Sequence, residues 1–180
     1  EGRVNLPNAL SLVRIFLVPV LVVFLIVVPR PYNLTAAVVF LAAVLTDWLD
    51  GRIARSMSQV TTLGKLLDPV ADKLLISASL ISLVQVGRVP AWMVVLIVGR
   101  DLAITGLRGI AASQNVVIQA SDFGKATMTA EVIAVALLIM NWPPFSVPLG
   151  KAVLAVGILL SLGSGMAYFQ KFWRSVDLAK

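Results

Sequence analysis

Asp47-Trp48-Leu49-Asp50-Gly51-Arg52-Ile53-Ala54-Arg55 and, eight residues further on, Gly64-Lys65-Leu66-Leu67-Asp68-Pro69-Val70-Ala71-Asp72 form the stretch on which the reading of this chain turns. Four of the chain's nine acidic residues fall in it, so the acids are concentrated rather than spread over a solvated surface. Asp47 and Asp50 lie three apart, and Asp68 and Asp72 four apart. On helices, either spacing puts both carboxylates of a pair on one face. Long apolar runs flank the stretch on both sides. The acids therefore belong at helix ends near a membrane border, where ionisable groups are functional by default.

Working outward, the composition supports that setting. Hydrophobic residues make up 59% of the 180 residues, charged residues only 13%, and the mean hydropathy is +0.95. A water-soluble domain of this length cannot hide so much apolar surface in one core, so lipid must solvate the rest. A hydrocarbon core about 30 Å thick needs about 20 apolar residues of helix. Six segments meet that requirement: roughly 9–28, 34 into the polar stretch 47–55, 66–86, 91–112, 123–140 and 147–168. Pro29-Arg30-Pro31-Tyr32-Asn33, Gly87-Arg88-Val89-Pro90 and Asn141-Trp142-Pro143-Pro144 interrupt them. The expected fold is an all-α integral membrane protein with six transmembrane helices, forming one domain over residues 1–180. The first segment is too long for the apolar part of a signal peptide, lacks a small-residue cleavage site and contains Arg14, so it is expected as a retained helix.

Charge gives the orientation. With both termini on the cytoplasmic side, only Arg30, Arg88 and Lys151 of the 15 lysines and arginines lie outside. That is the positive-inside bias. Trp92, Trp142 and Trp173 fall at expected membrane borders, where indole rings prefer to sit. The expected location is the cell membrane, multi-pass, with the acidic stretch facing the cytoplasm. The net charge of +6 fits anionic headgroups. Nucleic acid is disfavoured, because no basic stripe with interleaved aromatics lies outside the apolar runs.

The chain has no histidine and no cysteine. Disulfides, thiolate nucleophiles, imidazole bases and the usual zinc ligands are thereby excluded. Acid–base or metal chemistry must run on carboxylates. Four converging carboxylates repel one another, and protonation, pairing with Arg52, Arg55, Lys65 or Lys73, or cation binding would each relieve the repulsion. An all-oxygen donor set is what magnesium or manganese prefers, and two such ions suit displacement at phosphorus. Gly51, Ala54 and Gly64 beside the acids would leave room for a ligand, or would allow close helix packing. Arg55 is placed either to hold a phosphate oxygen or simply to keep its helix end inside.

The complete pattern, D-x2-D-G-x2-A-R-x8-G-x3-D-x3-D, resembles the signature of the CDP-alcohol phosphotransferase family at every specified position, and the six-span layout extends the resemblance over most of the chain. The resemblance implies that Asp47, Asp50, Asp68 and Asp72 ligate two metals gripping the pyrophosphate of CDP-diacylglycerol. It implies that Gly51, Ala54 and Gly64 accommodate the cytidine and that Arg55 sits near the nucleotide phosphates. Asp72 would be the general base, CMP the leaving group, and the enzyme a homodimer.

Three further segments resemble the members of that family whose acceptor is glycerol 3-phosphate. They are Asn5-Leu6-Pro7-Asn8-Ala9-Leu10-Ser11-Leu12-Val13-Arg14, the run from Gly99 to Arg108, and the run from Val116 to Lys125. Such an acceptor is a dianion, and Arg100, Arg108 and Lys125 could bind its phosphate or could only enforce topology. The chain departs from the family pattern at Asp101, where Glu is usual. It departs again at Gly124-Lys125-Ala126-Thr127-Met128, where Gly-Lys-x-Lys-Thr is frequent. With one lysine fewer, a cardiolipin synthase using phosphatidylglycerol is the alternative within the family. A small cation transporter is the alternative from another class. Acids confined to one end, without symmetric halves, speak against it.

Overall fold

Long apolar runs interrupted only by short proline- or glycine-bearing links close their backbone hydrogen bonds internally, and the helix is the form that does so. The computed structural model describes residues 6–28, 33–56, 62–113 and 122–177. These residues form six helices and no strand: α1 (Leu6–Ile26), α2 (Leu34–Ser56), α3 (Thr62–Gln85), α4 (Ala91–Ser113), α5 (Asp122–Met140) and α6 (Ser146–Asp177). The all-helical expectation holds.

The helices pack in two groups. α1 lies against α2 and α3, while α6 lies against α5 and α4; contacts of α2 with α5, and of α3 with α4 and α5, join the groups. Leu21, Phe40, Leu80, Leu83, Ile97, Leu138 and Leu154, at least one from every helix, fill the shared core with almost no exposure.

One end of the bundle is tied by polar groups. Asn33 starts α2: its Oδ1 accepts from the Ala36 N–H at 3.1 Å, an N-cap, while its Nδ2 donates to the Phe24 carbonyl of α1 at 2.6 Å. Gly87 ends α3 at φ 71°, a backbone region that glycine reaches without strain. The Gly87 N–H donates to Val84 O and the Arg88 N–H to Leu83 O, the paired bonds of a Schellman cap. Arg88 Nη1 then donates to the carbonyls of Leu138 and Ile139, at 3.1 and 3.0 Å, near the C-terminal end of α5. The α3–α4 link, with exposed Trp92 in the first turn of α4, and the α5–α6 link, with exposed Trp142, therefore share an end. Trp173 lies near the opposite end of α6, stacked on Phe169 at 5.9 Å.

The outer surface is apolar. Phe16, Leu34, Val95, Leu102 and Leu159 are each about two-thirds exposed or more, an arrangement that water-solvated monomers avoid. Among the described residues, Ser146–Gln170 is long and apolar enough to cross a membrane by length and composition, and Ser11–Ile26 and Leu34–Thr46 are shorter apolar helices.

Two boundaries differ from the sequence reading. Gly64 was expected in the link between the second and third helices, yet α3 begins at Thr62 and takes Gly64 into its first turn. α6 runs on to Asp177, beyond the sixth apolar segment, which was expected to end near residue 168. In both places hydropathy ends before the helix does, because backbone hydrogen bonding continues through polar residues.

Candidate active site

The end of the bundle opposite Arg88 contains a cavity of about 330 Å³ between α3, α4 and α5. Helical periodicity explains its lining. On α3, Asp72 and Ile76 are one turn apart. On α4, Arg100, Ile104 and Arg108 follow at intervals of four, and on α5 Gly124, Thr127 or Met128, and Glu131 follow at intervals of three and four. Asp72, Arg100, Arg108 and Lys125, singled out from sequence in two separate groups, thus border one chamber.

Asp72 has a partner that the sequence reading did not offer. Its Oδ1 accepts from Arg14 Nη1 of α1 at 2.7 Å; the arginine side chain is completely buried, and the aspartate is 23% exposed. Neighbours in sequence were considered for such a pairing, whereas the actual partner comes from a different helix. The available sign was Arg14 itself, a charge inside an apolar run, where it is costly without a carboxylate.

Lys73, one of those sequence neighbours, turns instead towards α4. Its Nζ donates to the Asp101 carbonyl at 3.2 Å and to the Thr105 hydroxyl. Thr105 in turn donates to the same carbonyl at 2.6 Å. Lys73 also lines the cavity, a placement the sequence analysis did not assign.

The three expected phosphate ligands differ in their surroundings. Arg100 is anchored: its Nη1 meets Asp101 Oδ1 at 2.9 Å, its Nε donates to Ser161 O at 3.2 Å, and its Nη2 donates to the Ser164 hydroxyl. It therefore joins α4 to α6 as well as facing the chamber. Arg108 is exposed, with its guanidinium 5.6 Å from the centre of the Tyr168 ring. Lys125 is exposed in the second turn of α5. The lining holds four cationic side chains and three acids, and two of the acids already have arginine partners. The cationic surplus suits an anion.

The third acid is Glu131 of α5. It is 4% exposed, lines the cavity, and its Oε1 has no hydrogen-bond partner. In sequence it is a lone acid among apolar neighbours, with no motif to single it out.

For the remaining signature residues the structure gives the helix only. Asp47, Asp50, Gly51, Ala54 and Arg55 lie in the last three turns of α2, and Gly64 and Asp68 in the first two turns of α3, which packs on α2. Their side-chain placement lies outside the described residues, as do residue 5 and residues 116–121 of the further resembling segments. Among the described residues no three acids cluster for a metal. The donor set nevertheless fits a hard divalent cation, being all carboxylate, on two packed helices, with Asp72 facing the chamber.

Known proteins resemble this chain over most of its length. The family model described as CDP-alcohol phosphatidyltransferase matches residues 4–163. A Bacillus subtilis protein named CDP-diacylglycerol–glycerol-3-phosphate 3-phosphatidyltransferase is 40% identical over 96% of this chain and 97% of its own length. A Mycobacterium tuberculosis protein named probable phosphatidylglycerophosphate synthase is 36% identical over 96% of this chain and 83% of its own. A Pseudomonas fluorescens protein bearing the first name is 34% identical over 94% of this chain and 90% of its own.

Proposed function

The chain belongs to the CDP-alcohol phosphatidyltransferase family, and from that premise we propose that it is a CDP-diacylglycerol–glycerol-3-phosphate 3-phosphatidyltransferase of phospholipid biosynthesis. It transfers the phosphatidyl group of CDP-diacylglycerol to glycerol 3-phosphate, giving phosphatidylglycerol phosphate and CMP. The observation that carries this reading is the single chamber in which Asp72 of the signature faces Arg100, Arg108 and Lys125. A carboxylate able to take a proton and cations able to hold a small dianion are what this acceptor needs. Phosphatidylglycerol as acceptor would bring two acyl chains and a single negative charge, and the four cationic side chains around the chamber suit the small dianion better.

In the reaction, an acceptor hydroxyl oxygen attacks the phosphorus that carries the diacylglycerol. The new oxygen–phosphorus bond forms as the bond from that phosphorus to the bridging pyrophosphate oxygen breaks, and CMP leaves with the electron pair. Asp72 takes the hydroxyl proton, while Arg14, fixed in the core, holds the carboxylate in place from behind. Arg108 and Lys125 hold the acceptor phosphate, and Arg100 both contributes charge and fixes α4 against α6. On α2 and α3, Gly51, Ala54 and Gly64 leave space for the nucleotide, and Arg55 meets its phosphates. Asp47, Asp50, Asp68 and Asp72 are the residues to hold two divalent cations, magnesium or manganese, which when bound neutralise charge on the pyrophosphate and the departing CMP.

The setting is a multi-pass protein of the cell membrane with six spanning helices, both termini and the chamber on the cytoplasmic side. The exposed apolar residues of every helix face support lipid around the bundle. A homodimer is the expected state, and α4 has room for a close helix approach, since a Cβ at Gly99 or Gly106 would meet nothing.

The deciding experiment supplies purified protein with CDP-diacylglycerol, magnesium and glycerol 3-phosphate. CMP and phosphatidylglycerol phosphate are the expected products. Absence of CMP release with this acceptor, together with turnover of phosphatidylglycerol, would move the assignment to the cardiolipin-forming alternative.

A further inference from the structure

A buried polar atom without a partner requires an explanation, because leaving it unsatisfied costs free energy. Glu131 is such a case. It stands one turn after Thr127 on the cavity face of α5, is almost fully buried, and has no partner for Oε1. The other two lining acids are engaged, Asp72 with Arg14 and Asp101 with Arg100. A carboxylate oxygen accepts hydrogen bonds and cannot bind a phosphate dianion, so Glu131 calls for a donor on the ligand.

On the reading of the acceptor given above, glycerol 3-phosphate presents three groups to the chamber. Its phosphate meets Arg108 and Lys125, and its reacting primary hydroxyl meets Asp72. The remaining secondary hydroxyl is a donor with no assigned acceptor. We propose that Glu131 is a specificity-determining residue that accepts a hydrogen bond from the secondary hydroxyl of the acceptor, selecting a phosphorylated polyol over a phosphorylated simple alcohol. The inference rests on that acceptor reading and adds the feature of the acceptor that is recognised. Discrimination of this kind is effective because an analogue lacking the hydroxyl leaves the buried oxygen unpaired.

The test compares glycerol 3-phosphate with 3-hydroxypropyl phosphate, which lacks only the secondary hydroxyl. Both are given to the full chain with CDP-diacylglycerol and magnesium, and CMP release gives kcat/KM for each. The native protein is expected to favour glycerol 3-phosphate by roughly tenfold to a hundredfold. Glu131→Leu should bring the ratio of the two kcat/KM values close to one, and Glu131→Gln, which keeps a carbonyl acceptor, should retain most of it. A merely structural role would lower both rates in proportion and leave the ratio at its native value, and that result overturns the proposal. Should Glu131→Leu fail to fold, the native ratio decides, since equal use of both acceptors equally overturns it. A native protein that releases no CMP with either phosphate overturns instead the acceptor reading beneath it.

Discussion

Arg14 and Asp72, 58 residues apart in sequence, meet at 2.7 Å with the arginine sealed in the core. The pair joins α1 to the helix that carries half of the acidic signature. It ties the first helix to the chamber, holding from inside the bundle the carboxylate proposed as the base. Losing one member of a buried pair leaves the other uncompensated.

Arg14→Ala should therefore lower stability by about 3 kcal/mol and reduce turnover in the protein that remains folded. Arg14→Lys keeps the charge without the planar fork, so it should recover most of the stability and only part of the rate. Thermal unfolding in detergent and CMP release measure the two effects. An Arg14→Ala protein with native melting and native turnover would remove Arg14 from the site.

Asp72→Asn should lower CMP release per folded protein by about 10²- to 10⁴-fold, the usual contribution of a positioned base, and should also lower the melting temperature, because it leaves buried Arg14 without its counter-charge. Asp47→Asn and Asp68→Asn should abolish activity as well. Chelation of divalent cations should stop the native enzyme, and added magnesium or manganese should restore it. Retention of most of the turnover after exhaustive chelation is incompatible with the metal assignment.

Arg100 and Arg108 should separate experimentally. Arg108, exposed at the chamber, should on replacement by alanine raise KM for glycerol 3-phosphate about tenfold or more, with little effect on KM for CDP-diacylglycerol. Arg100 is bonded to Asp101 and to two serines of α6, so Arg100→Ala should also destabilise the fold, by about 1–3 kcal/mol. Parallel melting curves and acceptor titrations distinguish them, and equal effects of the two variants on both would contradict the division of roles.

Two glycines of α6 should respond in opposite directions. A Cβ at Gly150 would lie 2.8 Å from Leu138 Cγ and 3.2 Å from the Ala134 carbonyl, and Leu138 is fully buried. Gly150→Ala should destabilise by about 1–3 kcal/mol. At Gly163 a Cβ meets nothing, and Gly163→Ala should stabilise by about 0.5–1 kcal/mol through the helix propensity of alanine. Unfolding midpoints of the two variants on the same side of the native value would show that this packing is wrong.

The sequence by itself determined the helices and the family. Apolar length marked six helices, and links such as Gly87-Arg88-Val89-Pro90 stopped them, because hydropathy and turn residues act locally. The spacing from Asp47 to Asp72 identified the family, since a pattern carried by two consecutive helices leaves its register in the chain. Helix ends such as Thr62 and Asp177 escaped, because hydropathy follows apolar length whereas the helix follows hydrogen bonds. Only the tertiary structure decided which side chains share the chamber. Arg14 reaches Asp72 from α1, Lys73 turns to α4, Arg100 is held by α6, and Glu131 is left facing the cavity. Those relations depend on how separate helices pack, and a buried charge in a linear sequence shows that it needs a partner without showing which helix supplies it.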